Sequence, residues 1–213
     1  MNKQRLQQVL YWLPPLIVVA AAAAIYVKED TLGALLSYDR SRILAGEYWR
    51  IVSGHLTHTN LNHLLLNGCG LTLAWALMPM RPRLNIALAG LAIIGALCGL
   101  ALLLFEPQIT WYRGLSGVIH ALLVLGAVFN ITTAGERLPG LVVLAAVVLK
   151  LYSETFGTSG SMVTELIGAP VVTEAHFWGA LAGAAVAILL LLGTRFGQAI
   201  ARPVFWSRAG RPD

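Results

Sequence analysis

Trp111-Tyr112-Arg113-Gly114-Leu115-Ser116-Gly117-Val118-Ile119-His120 turns a short polar loop into an apolar run that continues to Ile131. That places a hydroxyl just inside a predicted membrane helix. A second apolar run opens with Ala175-His176-Phe177-Trp178-Gly179-Ala180-Leu181-Ala182-Gly183. Polar and ionisable groups are costly in hydrocarbon, so a Ser and a His at matching ends of two spans mark a functional site. The pair points to serine hydrolase chemistry inside a membrane.

The composition agrees. Apolar residues make up 57% of the chain and charged ones 12%, with a mean hydropathy of +0.72, whereas a soluble domain carries about 25% charged residues. An ordinary water-soluble domain is excluded. A hydrocarbon core of about 30 Å takes about 20 mostly apolar residues per helix, and six stretches approach that: 9–27, 61–80, 84–105, 115–131, 138–152 and 175–193. The expected fold is an all-α bundle of six transmembrane helices, with the whole chain, 1–213, as a single membrane domain. In the fifth span Lys150 lies near the end, where its ammonium can snorkel to the interface beside Tyr152.

The net charge of +5 raises the question of nucleic acid. No basic stripe with interleaved aromatics lies outside the spans, so no nucleic-acid partner is expected. The basic residues serve as topology signals instead. Lys3, Arg5, Arg81, Arg83, Arg137, Arg195, Arg202, Arg208 and Arg211 all fall on one side of a six-helix arrangement. Lys28, Arg40, Arg42, Arg50, Arg113 and Lys150 fall on the other, offset there by eight acidic residues, Glu29, Asp30, Asp39, Glu47, Glu106, Glu154, Glu165 and Glu174. By the positive-inside rule both termini are cytoplasmic. Lys3 and Arg5 before an apolar core ending in Ala20 to Ala24 also resemble a cleavable signal, but cleavage would leave five spans and put the Arg-rich tail and the site on incompatible sides. Cys69 and Cys98 fall within spans, where a buried thiol packs.

Two connections are longer than turns. Residues 28–60 mix charges with Leu35, Leu36, Tyr38, Ile43, Leu44, Tyr48 and Trp49, a pattern suited to lying in the membrane interface. Residues 153–174, with Gly157, Gly160, Gly168 and Pro170, form either a flap over the site or a plain solvated loop. The second span is polar at its outer end, where His55, His58, Asn60, Asn62, His63 and Asn67 crowd together.

A serine hydroxyl is a weak nucleophile, so acyl transfer needs a neighbouring base and a place for the oxyanion. Ser116 starts a helix, whose free N–H groups and positive dipole end favour developing negative charge. His176 starts another on the same side and can take the serine proton and return it to the leaving amine. His63 and Asn67, four apart, share a helix face and offer donors to an oxyanion. Gly179 and Gly183 form a small-xxx-small face that lets helices pack backbone to backbone, and Gly117 follows Ser116 directly. His120, one turn after Ser116, is geometrically a possible base as well. A base from a facing helix approaches the serine more freely, so His176 is preferred and His120 takes a supporting or packing role. Zinc on His55, His58 and His63 is disfavoured, because no Glu stands at the helical spacing and no fourth ligand is near. No metal or cofactor is expected. The only acidic residue near His176 in the chain is Glu174, which faces elsewhere on a helix, so a dyad without a carboxylate is expected.

Gly114-Leu115-Ser116-Gly117, Ala175-His176-x-x-Gly179-x-x-x-Gly183, His63-x-x-x-Asn67 and Glu47-Tyr48-Trp49-Arg50 together resemble the rhomboid intramembrane serine proteases over residues 45 to 190. The resemblance implies Ser116 as nucleophile, His176 as base, and an oxyanion hole of His63, Asn67 and the Ser116 N–H. The spacing from Trp49-Arg50 to His55 departs from better-known rhomboids. Residues 112–120 with Thr173-Glu174-Ala175-His176 look most like the rhombosortase branch. That implies a bacterial inner-membrane enzyme whose periplasmic-side site removes a C-terminal tail of Gly-Gly-type motif, membrane helix and basic residues from exported proteins, by hydrolysis or by transfer to another nucleophile. The alternatives are a general rhomboid protease with other substrates and a catalytically silent binder of membrane helices.

Overall fold

The computed structural model describes residues 3–157 and 162–193. Gly160 of the long loop and the tail residues Arg195, Arg202, Arg208 and Arg211 lie outside these described residues. In hydrocarbon every backbone N–H and C=O must be satisfied within the chain, which turns each long apolar run into a helix. The long helices are α1 (Lys3–Val27), α5 (Leu61–Ala76), α6 (Leu84–Phe105), α7 (Ser116–Thr132), α8 (Arg137–Phe156) and α10 (Thr173–Leu192). Between α1 and α5 run α2 (Ala34–Leu36), β1 (Tyr38–Asp39), α3 (Arg40–Leu44) and α4 (Arg50–Ser53); β2 (Trp111–Tyr112) precedes α7, and α9 (Met162–Ile167) precedes α10.

Four of the described helices, α1, α6, α8 and α10, are long and apolar enough to cross a membrane. The other two, α5 with 16 residues and α7 with 17, are shorter. The expected second span of 61–80 stops at Ala76, and Leu77 caps the helix there. The Leu77 carbonyl accepts from Asn130 Nδ2 of α7 (3.1 Å), which fastens the turn to the bundle. The expected fifth span of 138–152 continues to Phe156. Lys150 and Glu154, one helical turn apart, are bonded Nζ to Oε1 at 2.6 Å and carry the helix past the end of the apolar stretch.

The centre of the molecule is α7. It is buried on nearly every side, as a helix that is apolar all round must be, and it packs along α10, α8 and α5. Leu71, Trp75, Leu91, Ile94, Val118, Leu122 and Leu125 form the main core around it. Against α10 the contact is backbone to backbone: a methyl at Gly179 would overlap the Gly117 carbonyl, and one at Gly183 the Ala121 carbonyl. The small-xxx-small face therefore decides how closely the two helices that begin with Ser116 and Thr173 can approach.

The connection of residues 28–60 is an ordered scaffold. Arg50 is fully buried, donating from Nε to Glu47 Oε2 (2.6 Å) and from Nη1 to the carbonyls of Ala34 and Ser37 (both 2.8 Å). A buried cation that satisfies several acceptors fixes its surroundings, because breaking the set strands a charge in a dry place. Strand β1 pairs antiparallel with β2, Tyr38 opposite Tyr112 and Asp39 opposite Trp111. Arg113 and Glu29 form an ion pair beside this ladder. The chain just ahead of Ser116 is thus clamped to the first connection.

Candidate active site

Tyr112 is the last residue of β2, and its hydroxyl donates to the Gly114 carbonyl. Burial pushes the Tyr112 phenol up, so it keeps its proton and remains a donor. Gly114 has φ +115°, a conformation that L side chains rarely adopt. A methyl there would also lie 2.6 Å from His63 Nε2 and 3.4 Å from Asn67 Nδ2. The glycine both turns the chain into α7 and admits the two α5 side chains to the start of that helix.

On α5, Asn60 caps the helix by accepting from the His63 N–H (2.8 Å). His63 Nδ1 lies 3.0 Å from Thr59 Oγ1 and 3.4 Å from the Thr59 N–H, so Nε2 is the nitrogen that faces Gly114. Asn67 Nδ2 donates to the His63 carbonyl (3.1 Å) with one of its two hydrogens, leaving the second for another acceptor. Ser116, Asn67, His63, His120 and His176 all line a single cavity of about 650 Å³, together with Leu66, Gly70 and Ile119 of α5 and α7 and Lys150, Ser153 and Glu154 of α8. Among the described residues no hydrogen bond joins Ser116 Oγ to His176; the two side chains share the cavity wall.

Residues 45–193, most of the chain, match the Rhomboid domain family. The chain belongs to the rhomboid family. Its members are intramembrane serine proteases that act on membrane proteins in the bilayer, and this rhomboid is a multi-pass membrane protein with a mostly helical fold. No curated protein matches the chain closely enough to count as a relative.

One expectation for this rhomboid is overturned. His176 has a carboxylate partner: its Nδ1 lies 2.9 and 3.0 Å from the two Glu154 oxygens. Hydropathy counting places Glu154 in an outer loop, whereas α8 extends to Phe156 and leans against α7 and α10, bringing Glu154 to His176. The Lys150 and Glu154 pair at helical spacing is the signal available in the sequence. His120 is also placed: its ring stacks on His176, centroids 4.2 Å apart and 14° from parallel, and its Nδ1 is 2.8 Å from the Ser116 carbonyl. His55 is buried with Nε2 2.9 Å from the Gly95 carbonyl and its ring edge-on to Tyr112, a structural post under β2.

His120, Glu154 and His176 present ligand atoms within 4.8 Å of one another, a spacing that a metal ion could use. Stacked imidazoles aim their lone pairs alongside each other, however, and not toward one point as tetrahedral coordination requires. The Nδ1 of each ring is already engaged. The loop after α8 ends in an ordered segment. Helix α9 docks on the start of α5 through Thr59 Oγ1 to the Ile167 carbonyl (2.7 Å) and through Asn60 and Asn62 Nδ2 to the Leu166 carbonyl (3.1 and 3.2 Å).

Proposed function

We propose that this rhomboid is an intramembrane serine endopeptidase in which Ser116 is the nucleophile and His176 the base. One observation carries the reading: Ser116, His176, His63 and Asn67, drawn from three helices, line one cavity large enough for an extended peptide segment. His176 takes the Ser116 proton as Oγ bonds to the scissile carbonyl carbon, and the carbonyl electrons become an oxyanion. The Ser116 N–H, His63 Nε2 and Asn67 Nδ2 receive that charge at the positive end of α7. His176 then gives its proton to the leaving amine as the C–N bond breaks. Water resolves the acyl-enzyme by the same steps in reverse, unless another nucleophile replaces it.

The fuller reading is a rhombosortase. Six helices cross the bacterial inner membrane with both termini inside, the site opens toward the periplasmic side, and the substrates are exported proteins with a Gly-Gly-type motif, a C-terminal membrane helix and basic residues. Support comes from residues 112–120 and 173–176, and from the gathering of the connections 28–60 and 106–115 with residues 162–172 at one end of the bundle. Fluorophosphonate labelling of the purified protein in detergent tests the chemistry: label is expected on wild type and on His120→Ala, and on neither Ser116→Ala nor His176→Ala. Label on Ser116→Ala at the wild-type level removes Ser116 as nucleophile. Co-expression with a Gly-Gly-tailed substrate then tests the branch, and an uncleaved tail beside an active label would leave a general rhomboid protease.

A further inference from the structure

The geometry points to Glu154 as a positioning residue for the base, so that the working unit is Ser116, His176 and Glu154. The inference rests on Ser116 and His176 as nucleophile and base. Glu154 reaches His176 from α8, a different helix from those that carry the serine and the base. Both of its oxygens are within hydrogen-bond distance of His176 Nδ1, and Lys150 Nζ sits 2.6 Å from Oε1. The glutamate side chain is 12% exposed and that of His176 5%, so the contact is shielded from water. A carboxylate accepts and cannot donate when ionised, which assigns the shared proton to His176 Nδ1 and leaves Nε2 with the lone pair.

That tautomer is the one a base needs. When Nε2 takes the Ser116 proton, the ring becomes an imidazolium with Nδ1–H held against Glu154, and the carboxylate stabilises the new charge without itself gaining a proton. Lys150 pairs with the carboxylate and restrains it, although half of its own side chain faces solvent. The remaining groups around His176 do not compete for Nδ1. His120 of α7 stacks on the face of the ring, and Cys98 of α6 points its Sγ at the Ala175 carbonyl (3.4 Å). The ring is therefore held in its plane by one neighbour and in its rotation by another. Ordinary ion-pair decoration of a helix end would not explain a carboxylate aimed at a buried imidazole in the cavity wall.

Two readouts on the full-length protein test this. In fluorophosphonate labelling, Glu154→Gln, which keeps the shape and can donate its amide hydrogen to Nδ1, is expected to react at least 100-fold more slowly than wild type. Glu154→Asp, which restores the charge on a shorter arm, is expected to recover a tenth or more of the wild-type rate. Ring-¹⁵N NMR is read on the Ser116→Ala background, with His176 assigned by its own substitution. The proton is expected on Nδ1 where Glu154 is intact and on Nε2 where E154Q is added. Labelling of E154Q within threefold of wild type overturns the proposal, as does an unmoved ring proton with E154Q and E154D equally slow. Wild type that takes no label while the ring proton still shifts in E154Q would remove Ser116 as nucleophile and keep the Glu154–His176 pairing.

Discussion

His120 and His176 lie face to face, 4.2 Å between centroids and 14° from parallel, with His120 Nδ1 also 2.8 Å from the carbonyl of Ser116. One imidazole thus links the backbone of Ser116 to the ring plane of His176. Stacked aromatic pairs are worth about 0.5–1.5 kcal/mol, which corresponds to a rate effect of up to about tenfold. His120→Ala is expected to slow fluorophosphonate labelling by about that factor, and His120→Phe to recover most of it by stacking without the hydrogen bond. Equal rates in His120→Ala and wild type would show that the stack does not hold His176 in place.

Gly179 and Gly90 make a matched pair of tests for the helix contact. A Cβ at Gly179 would overlap the Gly117 carbonyl on α7, while one at Gly90 of α6 meets nothing within 4 Å. Overpacking a tight contact costs about 1–3 kcal/mol, and here it also pushes His176 away from Ser116. Gly179→Ala is expected to lower the thermal unfolding temperature in detergent and to abolish labelling. Gly90→Ala is expected to leave both unchanged or to raise stability slightly.

The residues that could be read from the sequence are those whose relation is local or periodic. His63 and Asn67 share a face at four-residue spacing, and the Asn67 amide does bond the His63 carbonyl; Gly179 and Gly183 share one too, and both meet α7 backbone. Glu154 escaped because its partner is 22 residues away on another helix and hydropathy alone ended α8 four residues early. The order within residues 28–60 escaped for the same reason. Arg50 finds its acceptors at Ala34 and Ser37, and no pattern of polarity announces which carbonyls a buried guanidinium will satisfy.

Asn67 tests the proposed oxyanion hole separately from the proposed base. Removing one hole donor costs about 10²–10³ in turnover in serine hydrolases, and Asn67 has an amide hydrogen to give beyond its bond to the His63 carbonyl. Asn67→Ala is expected to lower kcat by that range with little change in KM, because the donor acts on charge that appears only in the transition state. Turnover of a tailed substrate by Asn67→Ala at the wild-type rate would remove it from the hole.

The loop histidines give the protein an acid-side weakness. Burial holds His55 below its ordinary value of 6.5, and burial with the neighbouring His63 ring brings His58 down to about 3. His58 is therefore neutral in the folded protein at pH 5, and His55 is shifted the same way, whereas in the unfolded chain both gain protons as the pH falls below about 6.5. The unfolded state binds more protons, so the His58 contribution is complete above pH 6.5 and is lost as the pH drops toward 3, with a slope of up to about 1.4 kcal/mol per pH unit. Thermal unfolding in detergent is expected at a lower temperature at pH 5.0 than at pH 7.5. His58→Phe keeps a buried ring of similar size and cannot titrate, so the gap between the two pH values should narrow. An unchanged gap in that variant would mean that His58 takes up its proton without leaving the fold.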